Sequence, residues 1–254
     1  MRDRILRELS RIEGQQNVRG LLAIESGSRA WGFASPDSDY DVRFIYVHER
    51  DWYLSVFEGH DVIEEMLPDR LDFSGWDLRK TLRLFSKCNL ALNEWIGSPV
   101  IYSEAGAFRS QLSQLIPQYF NPIAAIHHYR SMGERALKEN LVDDRIGIKR
   151  LFYVLRPLLA CRWIQATSAQ PPTEFTKLVK AAWVTTEEKD WIAALLDQKG
   201  NTVEAQPVIL DRFSAERIQS ELDRYKSAAE LVKAPARPDA AELDRIFRLW
   251  VDRK

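Results

Sequence analysis

Asp39 and Asp41 stand two residues apart, where the apolar run Val42-Arg43-Phe44-Ile45-Tyr46-Val47 begins. In an extended strand, residues two apart point to one face, so this spacing presents two carboxylates side by side. Like charges held on one face repel unless a cation sits between them, and a divalent metal is the natural candidate. Earlier in the chain, Gly27-Ser28 closes the run Leu21-Leu22-Ala23-Ile24. A Gly-Ser turn beside a metal can hold phosphate oxygens through backbone N–H groups and a hydroxyl. Together these parts describe a metal-dependent site that handles nucleotides.

Such chemistry usually needs a third carboxylate, contributed by a neighbouring strand to the same face. Asp72 is the best candidate: in Arg70-Leu71-Asp72-Phe73 it is a lone acid among apolar neighbours. Glu64 and Glu65 are substitutes on the preceding strand. Asp69 follows Pro68 in a turn, and Asp77 reads as a helix-start acid favoured by the helix dipole. The stretch Ser35-Pro36-Asp37-Ser38-Asp39 is also what an ordinary surface turn looks like. A turn does not explain Asp41, which lies one step inside an apolar strand, where an unpartnered charge is costly.

The elements that must position these residues follow from periodicity. Ile5, Leu6, Leu9 and Ile12 predict an amphipathic opening helix. Strands suit 19–25, 41–47, 61–67 and 70–74, with a short helix after Ser28, a helix from Trp76 and an extended piece at Val100-Ile101-Tyr102. From residue 108 onward strand signals fade. Segments 108–116, 121–140, 146–166, 173–183, 186–198, 212–232 and 239–252 read as helices. Breaks fall at Pro117, Pro122, Pro171-Pro172 and a linker holding Pro235 and Pro238. The expected fold class is α+β, with a mixed β-sheet flanked by helices in a domain over 1–110 and an all-helical domain over 111–254.

Charge is unevenly spread. Residues 1–75 carry nine Arg and no Lys against fifteen acids, a net of −6, whereas residues 121–165 carry a net of +4. An acidic part that could hold metal thus precedes a basic stretch that could hold phosphate. Within that stretch Lys149, Tyr153 and Arg156 are spaced i, i+4, i+7 and share one helical face. Two cations with an intervening tyrosine could grip a triphosphate and stack on its nucleoside. A solvated basic face or a salt bridge is the plainer alternative, and Pro157 predicts a kink just beyond. His127-His128 lacks a completing acid or cysteine, since adjacent helical residues point in different directions. Trp31 and Trp76 flank the motifs and are expected to serve packing.

The whole chain bounds these readings. Its 254 residues are 45% apolar and 29% charged with a net charge of −1, which fits a globular protein and argues against a broad nucleic-acid surface. Cys88 and Cys161 form no Cys-x-x-Cys pattern, so a reducing, cytoplasmic setting is expected. The longest apolar stretch, Leu151 to Ile164, is interrupted by Arg156 and Arg162 and too short to span a bilayer, so no membrane partner is expected.

The Gly-Ser turn, the Asp-x-Asp at a strand start and the later apolar-Asp-apolar strand together resemble the DNA polymerase beta nucleotidyltransferase superfamily. Gly27-Ser28-Arg29-Ala30-Trp31-Gly32, Ser38-Asp39-Tyr40-Asp41-Val42 and Ser74-Gly75-Trp76-Asp77-Leu78-Arg79-Lys80 resemble its RNA-ligase-associated branch, as do Asn93-Glu94-Trp95, Ser98-Pro99-Val100 and Tyr153 to Trp163. The similarity spans residues 20 to 165. It implies a nucleotidyltransferase-like sheet, two Mg²⁺ ions with Mn²⁺ as an alternative, and a nucleoside triphosphate such as ATP. By this resemblance Asp39, Asp41 and Asp72 are the catalytic and metal carboxylates, and Gly27, Ser28 and Arg29 meet the nucleotide with Lys149, Tyr153 and Arg156. The implied reaction moves an NMP to an acceptor hydroxyl on an RNA end, a protein or a small molecule, in RNA repair with an RNA ligase as partner. Two rivals stand beside it. A catalytically silent nucleotide-binding sensor would keep the fold without the reaction. A sugar-nucleotide glycosyltransferase would use Asp-x-Asp but give Gly27-Ser28 and Asp72 no role.

Overall fold

Ile5, Leu9 and Ile12 recur every three to four residues and are buried along one side of α1 (Arg2–Gln16), which Asn17 ends in the left-handed conformation. In the computed structural model the described residues are 1–200, 207–210, 212–228 and 239–253. The linker holding Pro235 and Pro238, and the end of the helix expected over 212–232, lie outside them. The chain divides into two units, Met1–Ala30 with Asp39–Tyr119 and Arg237–Lys254, and Trp31–Ser38 with Phe120–Ala236.

In the first unit, α1 is followed by β1 (Val18–Glu25), the short α2 (Gly27–Trp31, whose last residue belongs to the second unit), β2 (Tyr40–His48) and α3 (Arg50–Tyr53). Then come β3 (Val62–Leu67), β4 (Leu71–Asp77), α4 (Leu78–Phe85), α5 (Leu90–Ile96), β5 (Ile101–Glu104) and α6 (Phe108–Tyr119). The sheet order is β3-β4-β2-β1-β5, with β2 and β4 parallel and every other pair antiparallel, so the expected mixed sheet is present. Alternation splits the strands between two cores, except at the β1 register shift, where consecutive Leu21 and Leu22 share one. Ala23, Val42, Phe44, Tyr46, Leu71 and Phe73 join α1 in one core, while Ile24, Ile45 and Val47 join α4, α5 and α6 in another. Asp77 caps α4 by accepting from Arg79 N at 2.8 Å, as a helix-start acid should, and Asn89 caps α5 through Leu92 N. Pro117 does not break α6. It lies in the last turn and forfeits only a bond to the carbonyl of exposed Ser113.

The second unit holds α7 (Pro122–Asn140), β6 (Arg145–Gly147), α8 (Ile148–Thr167), α9 (Phe175–Val179), α10 (Thr186–Gly200), β7 (Pro207–Ile209) and α11 (Arg212–Ala228). The expectation of helices alone in the C-terminal part needs one refinement, the two-stranded β6–β7 ribbon. Asn121 caps α7 by accepting from Ile123 N and Ala124 N, and Pro122 takes the first turn, where its missing N–H is harmless. At Gly133 an added Cβ would meet Leu222 at 3.2 Å, which marks a close approach of α7 and α11. Phe33, from the Trp31–Ser38 segment, stacks on Phe152 with ring centres 5.0 Å apart. Helix α8 runs through Pro157 without ending. His127 and His128 are exposed.

The last helix, α12 (Ala241–Asp252), returns to the first unit. There Leu243, Ile246 and Trp250 complete the core shared by α4, α5 and α6. Among the described residues, no helix is long and apolar enough to cross a membrane.

Candidate functional site

Strand topology gathers the acidic residues at one edge of the first unit's sheet. Because β2 and β4 run parallel with Asp41 opposite Asp72, both carboxylates start their strands side by side on one face. Asp41 and Asp72 are 29% and 28% exposed, so both reach solvent without being fully solvated. Antiparallel β1 ends at the same edge, with Glu25 opposite Val42. Asp39 precedes β2 and is exposed.

Gly27 follows directly from that edge. Its φ is +58°, and a Cβ there would lie 2.1 Å from Asp41 Oδ2. Only glycine allows the Asp41 carboxylate to press against the turn. Ser28 is buried at 5% exposure. Arg29 lies 3.8 Å from the Tyr40 ring centre, and its Nε donates to the Asp39 carbonyl at 3.0 Å. This clamp fixes the backbone between the two aspartates.

Two residues outside the candidate set, Arg43 and Glu25, organise the edge. Arg43 Nη2 donates to Asp41 Oδ1 at 3.1 Å and to Asp72 Oδ2 at 2.7 Å. Its Nη1 donates to the Asp72 and Val42 carbonyls at 3.0 and 3.2 Å. Glu25, 1% exposed, accepts from Asp41 N at 2.8 Å and from the Tyr102 hydroxyl. Burial pushes its carboxyl up, against the pull of the bonds from Tyr102 and Asp41 N. Both carry a signal in the sequence: Arg43 sits one strand period beyond Asp41, and Glu25 is an acid ending an apolar strand. The Ser98-Pro99-Val100 motif braces the same point. Ser98 Oγ donates to the Glu25 carbonyl at 2.7 Å, and Glu25 N donates to the Val100 carbonyl at 3.0 Å.

The remaining candidates resolve individually. Asp69 has φ +66° in the β3–β4 turn and pairs with Arg4, Glu65 pairs with Arg11, and Glu64 is exposed on β3. Trp76 packs on Trp95 with ring centres 4.0 Å apart. Lys149, Tyr153 and Arg156 belong to the second unit. Lys149 is half-buried, Tyr153 meets Trp31 edge-on at 5.3 Å, and Arg156 is 2% exposed with its guanidinium 4.3 Å from the Trp31 ring centre. Arg156 Nη2 also donates to the Thr173 carbonyl at 3.4 Å. The tryptophan and Arg156 therefore form a packed cation–π pair inside that unit.

The donor set is all carboxylate, the type a hard divalent cation takes. Its grouping is different from a ready metal centre. Among the described residues no three His, Cys, Asp or Glu side chains are gathered closely enough to hold an ion. Asp41 and Asp72 share a guanidinium instead.

A Bacillus subtilis (strain 168) protein named Uncharacterized protein YcgL is 44% identical over 261 residues, covering 99% of each chain. A crystal structure of a nucleotidyltransferase-like protein from Exiguobacterium sibiricum 255-15 is 12% identical, covering 96% of this chain and 79% of that one at a TM-score of 0.30. The family RlaP, described as the RNA repair pathway DNA polymerase beta family, matches residues 1–249. The chain belongs to the RNA repair pathway DNA polymerase beta family.

Proposed function

We propose that the protein is a Mg²⁺-dependent nucleotidyltransferase that moves an NMP from a nucleoside triphosphate to an acceptor hydroxyl. The observation that carries this is the parallel register of Asp41 and Asp72 at the edge where Gly27 presses on the Asp41 carboxylate. Asp39 and Asp41, joined by Asp72, would hold Mg²⁺ or Mn²⁺, which when bound offsets triphosphate charge and lowers the pKa of an acceptor hydroxyl. Gly27 and Ser28 supply the turn for phosphate oxygens, and Arg29 keeps Asp39 and Asp41 in place. Asp72 is also the carboxylate we assign to take the acceptor's proton as general base. In the second unit, Lys149 and Tyr153 are residues we assign to nucleotide contact, whereas Arg156 is buried on the Trp31 ring.

The acceptor we assign is an RNA end. What supports it is the family's description as part of RNA repair and the net charge of +4 over residues 121–165. An RNA ligase is the partner that such a role requires, to seal the end so prepared. The buried thiols of Cys88 and Cys161 suit a reducing cytoplasm.

Incubation with each α-labelled NTP, Mg²⁺ and total cell RNA or protein tests the proposal. Label is expected in RNA, and Asp41→Ala should abolish it while the protein still folds. Full transfer by Asp41→Ala would sink the mechanism. The sensor reading remains as a second one because a guanidinium, not a third acid, joins Asp41 to Asp72. Calorimetric binding of Mg²⁺-NTP without pyrophosphate release would favour it.

A further inference from the structure

Arg43 has an unusual position for a cation at a metal-binding edge. The strand period places it on the face of Asp41, and the parallel register places it opposite Ser74, next to Asp72 on that same face. Its guanidinium makes four hydrogen bonds, two to carboxylates and two to backbone carbonyls, and its side chain is only 18% exposed. A solvated arginine would not be tied down at both ends of its planar fork. The carbonyl bonds fix Nη1 against the first residues of β2 and β4. Nη2 is thereby held between Asp41 Oδ1 and Asp72 Oδ2, in the space between the two carboxylates where a shared divalent ion would sit.

A guanidinium lodged between two carboxylates repels and crowds a second cation brought to the same place. We propose that Arg43 is a resident counter-cation that holds Asp41 and Asp72 together without metal and competes with a divalent ion for them, so that it sets the metal affinity of the site. This rests on the metal-dependent function proposed above. Arg43 thereby stabilises two adjacent carboxylates that would otherwise repel, and a metal arriving with its nucleotide displaces Nη2 while the carbonyl bonds of Nη1 keep the side chain nearby. Bracing of β2 against β4 alone would need no such competition.

Free Mn²⁺ in nucleotide-free mixtures of the full chain, followed by electron paramagnetic resonance, tests this. Arg43→Met removes the charge and keeps most of the stem, and it should bind Mn²⁺ about tenfold more tightly than the unaltered protein. Arg43→Lys keeps a charge without the fork and should fall between them, which preserves the test if the methionine variant folds poorly. Metal-free melting should drop for Arg43→Met, and added Mn²⁺ should raise its Tm by more than it raises that of the unaltered chain. Unchanged or weaker Mn²⁺ binding by both variants, with Asp41→Asn abolishing it, would overturn the competition and leave the metal site standing. Mn²⁺ binding indifferent to Asp41→Asn in either background would overturn the metal-dependent function itself, and the competition with it.

Discussion

The backbone N–H of Asp41 donates to Glu25 Oε1 at 2.8 Å, so one candidate metal ligand hangs on a buried acid of the neighbouring strand. The other oxygen of Glu25 accepts from the Tyr102 hydroxyl, and its carbonyl accepts from Ser98. β1, β2 and β5 therefore meet at a single side chain. Glu25→Ala would strand the Asp41 N–H and the Tyr102 hydroxyl in the interior, at about 1–3 kcal/mol for each unsatisfied group. Urea unfolding should show a loss of about 2–4 kcal/mol, with Glu25→Gln losing about half of that because its amide oxygen still accepts. A loss below about 0.5 kcal/mol for the alanine variant would mean that Glu25 holds neither group.

Gly27 couples the turn to Asp41 by close approach, beside the bond from Ser26 N to the Asp41 carbonyl at 2.8 Å. Its φ of +58° disfavours any side chain, and a Cβ would lie 2.1 Å from Asp41 Oδ2. Gly27→Ala must therefore displace the carboxylate as well as strain the turn, at about 1–2 kcal/mol for the backbone. Pyrophosphate release should fall by about a hundredfold, far more than the change in stability explains, because a misplaced ligand loses alignment. Wild-type release rates from a folded Gly27→Ala variant would remove the turn from the chemistry.

Much of this edge is legible in the amino-acid sequence. Periods of two and of about 3.6 locate α1, β1, β2 and β4, since each is long and buries one consistent face. Asp39-Tyr40-Asp41 and Gly27-Ser28 stand out because their residue types contradict their apolar surroundings. Arg43 breaks its apolar run in the same way and the period of two puts it beside Asp41, but its bond to Asp72 depends on the β2–β4 register. Glu25 escapes notice because its partners, Asp41 N and Tyr102, are set by sheet pairing and lie 16 and 77 residues away. Helix α5 is hard to see because Leu90–Ile96 spans only two turns and its start depends on the Asn89 cap. The three-residue strands β6 and β7 carry too little pattern to be seen at all. Arg156 has the spacing of a surface face, yet its stacking on Trp31 depends on a residue far away in sequence.

Asp77 gives the first unit a specific pH signature. It is 1% exposed, and burial pushes its carboxyl above the ordinary 3.8, against bonds from the Tyr53 hydroxyl and Arg79 N. Between that ordinary value and the raised one, the folded state holds more protons than the unfolded state, so stability falls as pH rises through the window. Asp77→Asn cannot ionise and lacks this decline. Chemical unfolding from about pH 4 to about pH 7 should show the stability gap between variant and wild type closing as pH rises. His48, lowered by burial, acts oppositely below its ordinary 6.5, and because the Asp77 charge works to raise it, the pair is compared in a His48→Gln background, where only Asp77 titrates differently. Parallel curves would place Asp77 at an ordinary pKa.

Arg162 ties α8 to α10 and α11 through two acids. Its Nε and Nη2 donate to Glu221 at 2.5 and 2.6 Å, and its Nη1 and Nη2 donate to Glu188 at 3.0 and 2.9 Å. The three side chains are only 16%, 12% and 19% exposed for Arg162, Glu221 and Glu188. Burial works to raise the Glu188 carboxyl, but the bonds from Arg162 and Thr185 hold it below the usual range. Its share of stability is therefore present above the ordinary 4.5 and is lost as pH falls through the lowered value. Arg162→Met would leave two largely buried carboxylates with only the longer, more exposed pairs to Arg217 at 3.6 Å and Arg224 at 3.8 Å, a loss of about 3 kcal/mol at neutral pH. Adding Glu188→Gln and Glu221→Gln should recover most of it, because the uncompensated charges, more than the missing bonds, carry the penalty. Equilibrium unfolding of the single and triple variants measures both. A triple variant no more stable than Arg162→Met would show that the loss comes from packing of the arginine stem and not from stranded charge.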